Sequence, residues 1–330
     1  MKKKHTLALI WTQYTLLLYM LVVPDWKKTL LFLYRGRIDN DTIKRIHERD
    51  GRFWGGYRLM KFINKRTHNI VYRLCRFVPA RLIKPLLYLW LRIEGEENVH
   101  VYGYEHVFGA VTCLDAGCEF TVIEDGMSSY NSRQKTEKFW QAYHSSDARP
   151  EKYLSGGWSD AVQNVILTGR LPTPKGLEEK VNVVNMKQLW QNLPVNKKQE
   201  LCYIFDFNIE KWQEIINDGR DILFLSQPLS PVWMDEADEI ILLRELLSKY
   251  DMKKVIIKVH PADKKRYEDI FSQCLVIRWT LPVEFLWMED LPFKKVVGVF
   301  STALYGTWSN DRLDIRPDLL QKYARQELKD

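Results

Sequence analysis

The stretch VIIKVHP, residues Val255–Pro261, joins a run of β-branched apolar residues to a polar His-Pro end. Such a run predicts a buried strand, here Val255–Val259. Periodic apolar positions on either side predict helices over Asp235–Tyr250 and Lys264–Cys274. Strands that alternate with helices form parallel sheets whose faces are covered. His260 is then expected at the carboxyl end of a strand, the edge at which α/β sheets build binding sites.

The same alternation continues through the second half of the chain. Apolar runs predict further strands at Leu201–Phe205, Ile222–Ser226, Val276–Trp279 and Val296–Phe300. Helical periodicity predicts helices over Ile209–Asn217 and from Val283 and Ser301 onward. We therefore expect this half to form one parallel sheet with helices on both faces.

The first half opens with an apolar stretch after the basic residues MKKKH. We interpret it as a buried strand, Leu7–Trp11, a short polar turn and a buried helix, Leu16–Val23. A membrane anchor is the alternative, since the apolar span approaches the roughly 20 residues that a bilayer requires. The polar segment Thr12–Thr15 interrupts the span and no A-x-A cleavage site follows, which favours the strand and helix.

Other elements of the first half are expected between this opening and residue 130. Apolar runs predict strands at Leu30–Tyr34, Val99–Tyr102, Ala110–Leu114 and Phe120–Ile123. The stretch Arg58–Ile93 has helical periodicity with many Lys and Arg residues on its polar positions, and Pro79 and Pro85 should break it. Its basic face suits an anionic membrane surface, and a solvated face is the alternative.

The length of 330 residues fits two domains of roughly 150 residues each. The stretches Leu171–Lys180 and Asn192–Glu200 resemble loops and are candidates for the linker. We place the boundary between residues 195 and 196, which gives domains of residues 1–195 and 196–330. The expected fold class is α/β, with two Rossmann-like domains that face a cleft.

The composition excludes several classes of protein. An apolar fraction of 46% excludes a disordered chain. The five cysteines are scattered without a CxxC pair, which argues against a disulfide framework or a structural zinc site. The net charge of +7 favours a phosphorylated ligand, an anionic membrane surface or nucleic acid, and charge alone leaves all three open.

One candidate for chemistry is the tripeptide Glu124-Asp125-Gly126, which follows the predicted strand Phe120–Ile123. Glycine permits a sharp turn, so an acidic side chain can project from the edge of the sheet. A carboxylate there can serve as a general base. A turn with solvated acids is the alternative interpretation.

Other candidates follow strands of the second half. His260, in Lys258-Val259-His260-Pro261, can donate to a phosphate oxygen or protonate a leaving group. Ser301 and Thr302 can cap a helix whose amino end binds an anion. Glu284, in the first turn of a predicted helix, can bind a ribose diol. Helix capping and complementation of the helix dipole explain these last placements equally well.

Several common motifs are missing from the chain. It has no GxxxxGK[ST] loop and no GxGxxG in a strand-to-helix turn, which weakens an assignment to ATP or dinucleotide enzymes. HExxH and GxSxG are absent too, against a zinc protease or a serine hydrolase.

The order of the motifs resembles that of bacterial sialyltransferases. Those enzymes carry a D/E-D/E-G motif in the first domain, then HP, then a Ser-Ser or Ser-Thr pair; here these are Glu124-Asp125-Gly126, His260-Pro261 and Ser301-Thr302. The segment PVEFLW…VVGVFSTALYG also looks like the ribose- and phosphate-binding segment of these enzymes. Length and the opening LALIWTQYTLLL make the chain most similar to glycosyltransferase family 52, the lipooligosaccharide sialyltransferases.

The resemblance implies a GT-B fold and an inverting, metal-independent transfer of sialic acid from CMP-sialic acid to a galactose-terminated glycan. It places the phosphate of CMP at His260, Ser301 and Thr302, the ribose at Glu284, and Lys258 and Pro261 in the same donor site. Glu124 or Asp125 would deprotonate the acceptor hydroxyl. Asp235 and Asp238 are alternative bases, and Gly126, Thr12 and Gln13 would lie on the acceptor side.

The resemblance also implies partners. We expect a nucleotide-sugar donor, a glycan acceptor of a lipooligosaccharide or of a capsular or extracellular polysaccharide, and no metal or other cofactor. The expected location is cytoplasmic, with peripheral contact with the plasma membrane. An α-2,3 linkage is expected, while α-2,6 and a homodimer stay open.

Two alternative functions stay open. Part of family 52 transfers glucose, so a UDP-sugar hexosyltransferase is the rival of the same class. A non-catalytic basic protein that binds a membrane surface or nucleic acid is the rival of another class, although the sequence contains no recognised nucleic-acid motif.

Overall fold

The computed structural model describes residues 5–33, 38–49, 80–107, 109–143, 154–305 and 308–325. The chain divides into two compact units, Met1–Ile204 and Phe205–Asp330. The expected boundary between residues 195 and 196 falls at the start of the helix Val195–Phe205, whereas the two units divide near the end of that helix. Each unit has its own parallel sheet, as expected for Rossmann-like domains.

Among the described residues of the first unit, six parallel strands form a sheet in the order β2-β1-β3-β4-β5-β6. The strands are β1 His5–Ile10, β2 Leu30–Leu33, β3 Val99–Gly103, β4 Glu119–Ile123, β5 Asn164–Leu167 and β6 Val181–Val183. The α-helices described in this unit are Gln13–Val22, Asn40–Arg49, Ala80–Glu94, Ala110–Ala116, Arg133–Tyr143, Met186–Asn192 and Val195–Phe205.

The opening strand and helix confirm the interpretation of the amino-terminal stretch. β1 lies between β2 and β3 in the sheet, and the following helix buries a continuous run of side chains from Leu16 to Leu21. The polar turn is shorter than expected, because Thr12 caps the helix and the helix begins at Gln13. The Thr12 hydroxyl accepts a hydrogen bond from the amide of Thr15, a cap that stabilises a helix by about 1 kcal/mol. Across the ranges given above, no helix is both long and apolar enough to span a bilayer.

In the part of the second unit that the structure describes, five parallel strands form a sheet in the order β11-β10-β7-β8-β9. They are β7 Ile222–Leu225, β8 Val255–Lys258, β9 Leu275–Ile277, β10 Lys295–Gly298 and β11 Leu313–Ile315. The α-helices are Ile209–Asn217, Glu236–Leu247, Tyr267–Ile270, Glu284–Met288 and Pro317–Tyr323. All four residues of β7 and of β8 are buried, as the continuous apolar runs predict for central strands of a covered sheet.

Two predicted strands are helices in the structure. Ala110–Leu114 lies in the helix Ala110–Ala116, which is bounded by Gly109 and Gly117, both at positive φ. Glycine adopts that left-handed conformation without strain and commonly ends a helix. Leu201–Phe205 belongs to the helix Val195–Phe205, so the loop expected over Asn192–Glu200 is partly helical as well. In both cases a short apolar run fits either period, and in the structure the buried positions follow the helical spacing i, i+3 and i+4.

Other boundaries also differ from the predictions. Pro85 lies within the helix Ala80–Glu94 and does not break it. A proline there removes a backbone hydrogen bond at a cost of about 3 kcal/mol, which burial of Leu87 and Leu91 on one face of the helix offsets. Residues 58–79 of the predicted basic helix lie outside the described residues. The helix expected over Lys264–Cys274 is reduced to Tyr267–Ile270.

Candidate active site

The carboxyl ends of the first unit's strands bring several polar residues to one edge of its sheet. Thr12 follows β1, Tyr104 follows β3, Glu124 and Asp125 follow β4, and Thr168 follows β5. These four strands are parallel and adjacent in the order β1-β3-β4-β5. The edge therefore collects side chains that are distant in sequence, as expected for the binding edge of an α/β sheet.

Glu124 is fully buried at this edge. Tyr14 Oη donates to its Oε1 at 2.6 Å, and Tyr130 Oη donates to its Oε2 at 2.7 Å. The backbone amide and the hydroxyl of Thr168 donate to Oε2 at 2.6 and 2.8 Å. Arg170 Nε lies 3.5 Å from Oε1, and its guanidinium lies over the Tyr14 ring, 4.6 Å from the ring centroid. Both carboxylate oxygens are occupied by the protein's own donors.

These contacts make Glu124 an anchor of the edge. A buried carboxylate is tolerated only when it is paired and hydrogen-bonded, and Arg170, Thr168 and the two tyrosines meet that requirement. Burial, and then the charge and hydrogen bond of Glu124, raise the pKa of Tyr130 to about 12, so its hydroxyl keeps its proton at neutral pH. An acceptor hydroxyl could reach Glu124 only by displacing one of these donors.

Asp125 lies in a more open position than its neighbour. Asp125 is half-buried, and its Oδ1 accepts a hydrogen bond from Thr12 Oγ1 at 3.3 Å. Its backbone amide donates to Ser129 Oγ at 2.8 Å. Gly126 has φ +80°, a conformation that favours glycine, and it opens the 3-10 turn Gly126–Tyr130. The turn directs the chain away from β4 immediately after the acidic pair.

A second buried carboxylate supports the segment that packs against this turn. Glu105 accepts hydrogen bonds from the amides of Gly156 and Gly157 at 3.0 and 2.6 Å. A Cβ at Gly156 would lie 3.8 Å from the carbonyl oxygens of Ser128 and Ser129, so the two segments are close. Burial raises the pKa of Glu105 to about 7, and the backbone hydrogen bonds lower it only in part.

The two remaining residues expected on the acceptor side have different surroundings. Thr12 links the start of the first helix to Asp125, as described above. Gln13 is buried, and its Nε2 donates to Thr42 Oγ1 at 3.1 Å. Of the expected acceptor-side residues, the structure therefore brings Thr12 and Gly126 to Asp125 and directs Gln13 toward another helix.

In the second unit, His260 follows β8 and is exposed. Its backbone amide donates to Ser226 Oγ at 2.9 Å, and its carbonyl oxygen accepts from the Asp263 amide at 2.8 Å. The Ala262 amide donates to the ring Nδ1 at 3.1 Å. Because Nδ1 acts as an acceptor, the neutral ring carries its proton on Nε2. Pro261, which is also exposed, forms part of the same turn.

Lys258 and Glu284 are both buried in the second unit. Lys258 Nζ donates to the Trp279 carbonyl oxygen at 3.2 Å. Burial lowers the pKa of Lys258 to about 8, and the negative charge of Glu284 opposes this decrease. Glu284 opens the helix Glu284–Met288, as expected. The structure thus brings together two of the expected donor-site residues, beneath the surface.

The Ser301-Thr302 pair follows β10, as expected, but no α-helix begins there. Thr302–Leu304 forms a 3-10 turn, and the Leu304 amide donates to the Ser301 carbonyl oxygen at 2.9 Å. Ser301 is half-buried. A single turn has little dipole, so hydroxyl and amide groups would provide any anion contact here.

The two alternative bases lie at the start of another helix. Asp235 occupies the N-cap position of Glu236–Leu247, and Oδ1 of Asp235 lies 2.7 Å from Arg325 NH2. Asp238 is exposed in the first turn of the same helix. Acidic residues are favourable at this end of a helix, which explains both placements without a substrate.

The chain matches the model of one protein family over most of its length. The model of glycosyltransferase family 52 matches residues 79–315. The chain belongs to glycosyltransferase family 52. This match confirms the resemblance to family 52 that the order of the motifs indicates. An uncharacterized protein of Haemophilus influenzae is 28% identical over 272 residues, which cover 81% of this chain and 85% of that one.

Solved structures confirm the fold of this family 52 member. The α/β-galactoside α-2,3-sialyltransferase of Photobacterium phosphoreum has a TM-score of 0.57 and 12% identity, covering 94% of this chain and 90% of its own. A Photobacterium 2,6-sialyltransferase in complex with CMP and lactose has a TM-score of 0.58 and 12% identity, and the match covers 94% of this chain and 70% of that one. The GT-B domain of a Photobacterium damselae sialyltransferase has a TM-score of 0.51 and 11% identity, and the match covers 93% of this chain and 89% of that one. The fold is GT-B.

Sequence reasoning missed the residues that hold the motifs of this family 52 chain in place. Tyr14, Tyr130, Thr168 and Arg170 surround Glu124 but lie 6 to 110 positions away from it along the chain. Only the position of Thr168, directly after the apolar run of β5, could have indicated that it reaches the same edge. Within the described ranges, no three His, Cys, Asp or Glu side chains group as a metal site.

Proposed function

We propose that this family 52 glycosyltransferase transfers sialic acid from CMP-sialic acid to a galactose-terminated glycan, with inversion at the anomeric carbon and without a metal. The observation that carries the proposal is the fixed, exposed His260 ring, whose proton lies on Nε2 because Nδ1 accepts the Ala262 amide. Departure of CMP requires neutralisation of charge on its phosphate, which such a preorganised donor supplies. Sialyltransferases among the structural neighbours support the same class of reaction.

The second unit would bind the donor. In the proposal, His260 Nε2 donates to the phosphate, and the segment Ser301-Thr302 contacts the same group. Glu284 is only 4% exposed, so a contact with the ribose would use the small part of its surface that stays open. Lys258 would act from beneath the edge through its positive charge.

The first unit would supply the general base, and we assign that role to Asp125. Glu124 already accepts hydrogen bonds on both oxygens, whereas Asp125 is half-buried at the same edge. The acceptor hydroxyl gives its proton to the Asp125 carboxylate as its oxygen bonds to the anomeric carbon. The bond between that carbon and the CMP phosphate oxygen breaks, and CMP leaves with the electron pair.

The proposed acceptor is part of a lipooligosaccharide or of another surface polysaccharide, reached from the cytoplasmic face of the membrane. Exposed apolar residues on the helix Ala80–Glu94 support a peripheral contact: Tyr88, Leu89 and Ile93 are 41%, 56% and 73% exposed. Arg92 is exposed on the same helix and adds positive charge. A helix with this combination binds anionic membrane surfaces.

Nucleotide binding tests the proposal. A ligand at 100 times its Kd stabilises the folded state by about 2.7 kcal/mol, so a melting-temperature panel of CMP, UDP, GDP and ADP identifies the donor nucleotide. We expect selective stabilisation by CMP. Selective stabilisation by UDP would favour a hexosyltransferase instead, and stabilisation by none of the four would favour a non-catalytic protein.

A further inference from the structure

Buried charged side chains lie beneath the turn that carries His260. Asp263 and Lys265 follow β8, and Glu239 belongs to the helix Glu236–Leu247; all three are buried. Lys265 Nζ lies 2.9 Å from Oε1 of Glu239 and 3.0 Å from Oδ1 of Asp263. Tyr267 donates its hydroxyl to Oδ2 of Asp263 at 2.8 Å. None of these residues belongs to the motifs Glu124-Asp125-Gly126, His260-Pro261 or Ser301-Thr302.

The charges in this network are mutually satisfied. Burial by itself would lower the pKa of Lys265, but the hydrogen bonds and charges of Glu239 and Asp263 raise it above its ordinary value. Glu239 also accepts the amides of Leu229 and Ser230 at 3.2 and 3.0 Å. Buried charges survive only with such partners. The network therefore holds the loop after β7 against the loop after β8.

Ser226 connects the network to His260. It is buried at the end of β7, its Oγ accepts the His260 amide at 2.9 Å, and its Oγ donates to Asp263 Oδ2 at 3.3 Å. An ionised carboxylate can only accept, so the Ser226 hydrogen points toward Asp263 and leaves the oxygen lone pairs for the His260 amide. The Ser226 hydroxyl therefore lies between the Asp263 carboxylate and the backbone amide of His260.

We propose that Ser226 and Asp263 are positioning residues for His260. The Asp263 carboxylate orients the Ser226 hydroxyl, and that hydroxyl fixes the backbone from which the His260 ring projects. The Asp263 amide donates a hydrogen bond to the His260 carbonyl oxygen at 2.8 Å and so stabilises the same turn. The inference rests on the proposed role of His260 at the donor phosphate.

Three variants test it in transfer of sialic acid from CMP-sialic acid to lactose. Ser226→Ala should lower kcat on the order of 10- to 100-fold, the effect of misplacing a catalytic group, while the Kd of CMP changes less than about threefold. Ser226→Thr, which keeps the hydroxyl, should recover most of the kcat that Ser226→Ala loses. The matched control Ser248→Ala, at an exposed serine, should leave both values unchanged.

A double-variant cycle separates positioning from general stability. In a His260→Ala background, Ser226→Ala should lower the residual kcat by less than about twofold, because no ring remains to be positioned. An equal loss in both backgrounds, or wild-type kcat in Ser226→Ala, would overturn the inference. Should Ser226→Ala not fold, Asp263→Asn is measured in the same two backgrounds, with the exposed Asp269→Asn as its control.

The proposed function has a separate outcome in the same experiment. Full turnover in the folded His260→Ala variant would contradict the role of His260 in the reaction. A loss of turnover in His260→Ala together with full turnover in Ser226→Ala would contradict the positioning role alone.

Discussion

Amide substitutions at the adjacent acids Glu124 and Asp125 should differ in effect, with Asp125→Asn lowering activity and Glu124→Gln lowering stability. Asp125→Asn removes the proposed base, and positioned bases contribute about 10²- to 10⁴-fold, so transfer should fall by that factor. The amide keeps an oxygen that can accept from Thr12 Oγ1, and the residue is only half-buried, so stability should change by less than about 0.5 kcal/mol. The Kd of CMP should stay unchanged.

Glu124→Gln should instead destabilise the first unit. The amide nitrogen cannot accept a hydrogen bond, so donors from Tyr14, Tyr130 or Thr168 lose their partner, and buried Arg170 loses its counter-charge. Breaking a buried pair on one side costs about 3–5 kcal/mol. At roughly 2–4 °C per kcal/mol for a unit of this size, the melting temperature should fall on the order of 10 °C.

The assay measures transfer to lactose, CMP binding and thermal unfolding for both variants. Asp115→Asn, at an exposed acid of the same unit, is the matched control and should behave as wild type. Donor hydrolysis by water should persist in Asp125→Asn. Transfer by Asp125→Asn at the wild-type rate would contradict the assignment of Asp125 as the base, above all if Asp235→Asn or Asp238→Asn loses transfer in its place.

Three further expectations follow from single features. Because the pKa of Glu105 is raised in the folded state, its carboxyl group holds a proton more tightly there than in the unfolded chain. The free energy of unfolding, measured by urea titration, should therefore fall by about 3 kcal/mol as the pH rises from 4.5 to 7. Glu105→Gln should reduce this pH dependence of stability. Transfer should continue in EDTA because fixed donors neutralise the leaving group, and a loss that Mg²⁺ or Mn²⁺ restores would contradict this. Leu89→Ser combined with Ile93→Ser should weaken cosedimentation with phosphatidylglycerol vesicles, whereas Val183→Ser should not.

The sequence predicts the strands of this fold better than its short helices. Central strands such as β7 and β8 are buried on both faces, so their continuous apolar runs are distinctive. Ala110–Leu114 and Leu201–Phe205 have similar runs but form helices, because glycines at the ends of one and a longer helical context in the other decide the period. Such context lies outside a window of five residues.

The sequence predicts where the residues of the candidate site lie but not which role each of them has. Motif order locates Glu124, Asp125 and His260 at strand ends, where the structure has them. It does not separate the saturated Glu124 from the more open Asp125, because the donors to Glu124 come from three other segments. Likewise, the support of His260 by Ser226 joins two strands 34 positions apart. Long-range hydrogen bonds of this kind leave no local pattern.

Analysis of the reaction products tests the identity of the donor substrate. The purified chain is incubated with lactose and either CMP-sialic acid, UDP-glucose or UDP-galactose, and products are measured by mass spectrometry. We expect sialyllactose and released CMP in equal amounts from CMP-sialic acid, and no transfer from the UDP-sugars. Hexose transfer from a UDP-sugar, or folded protein that forms no sialyllactose, would contradict it.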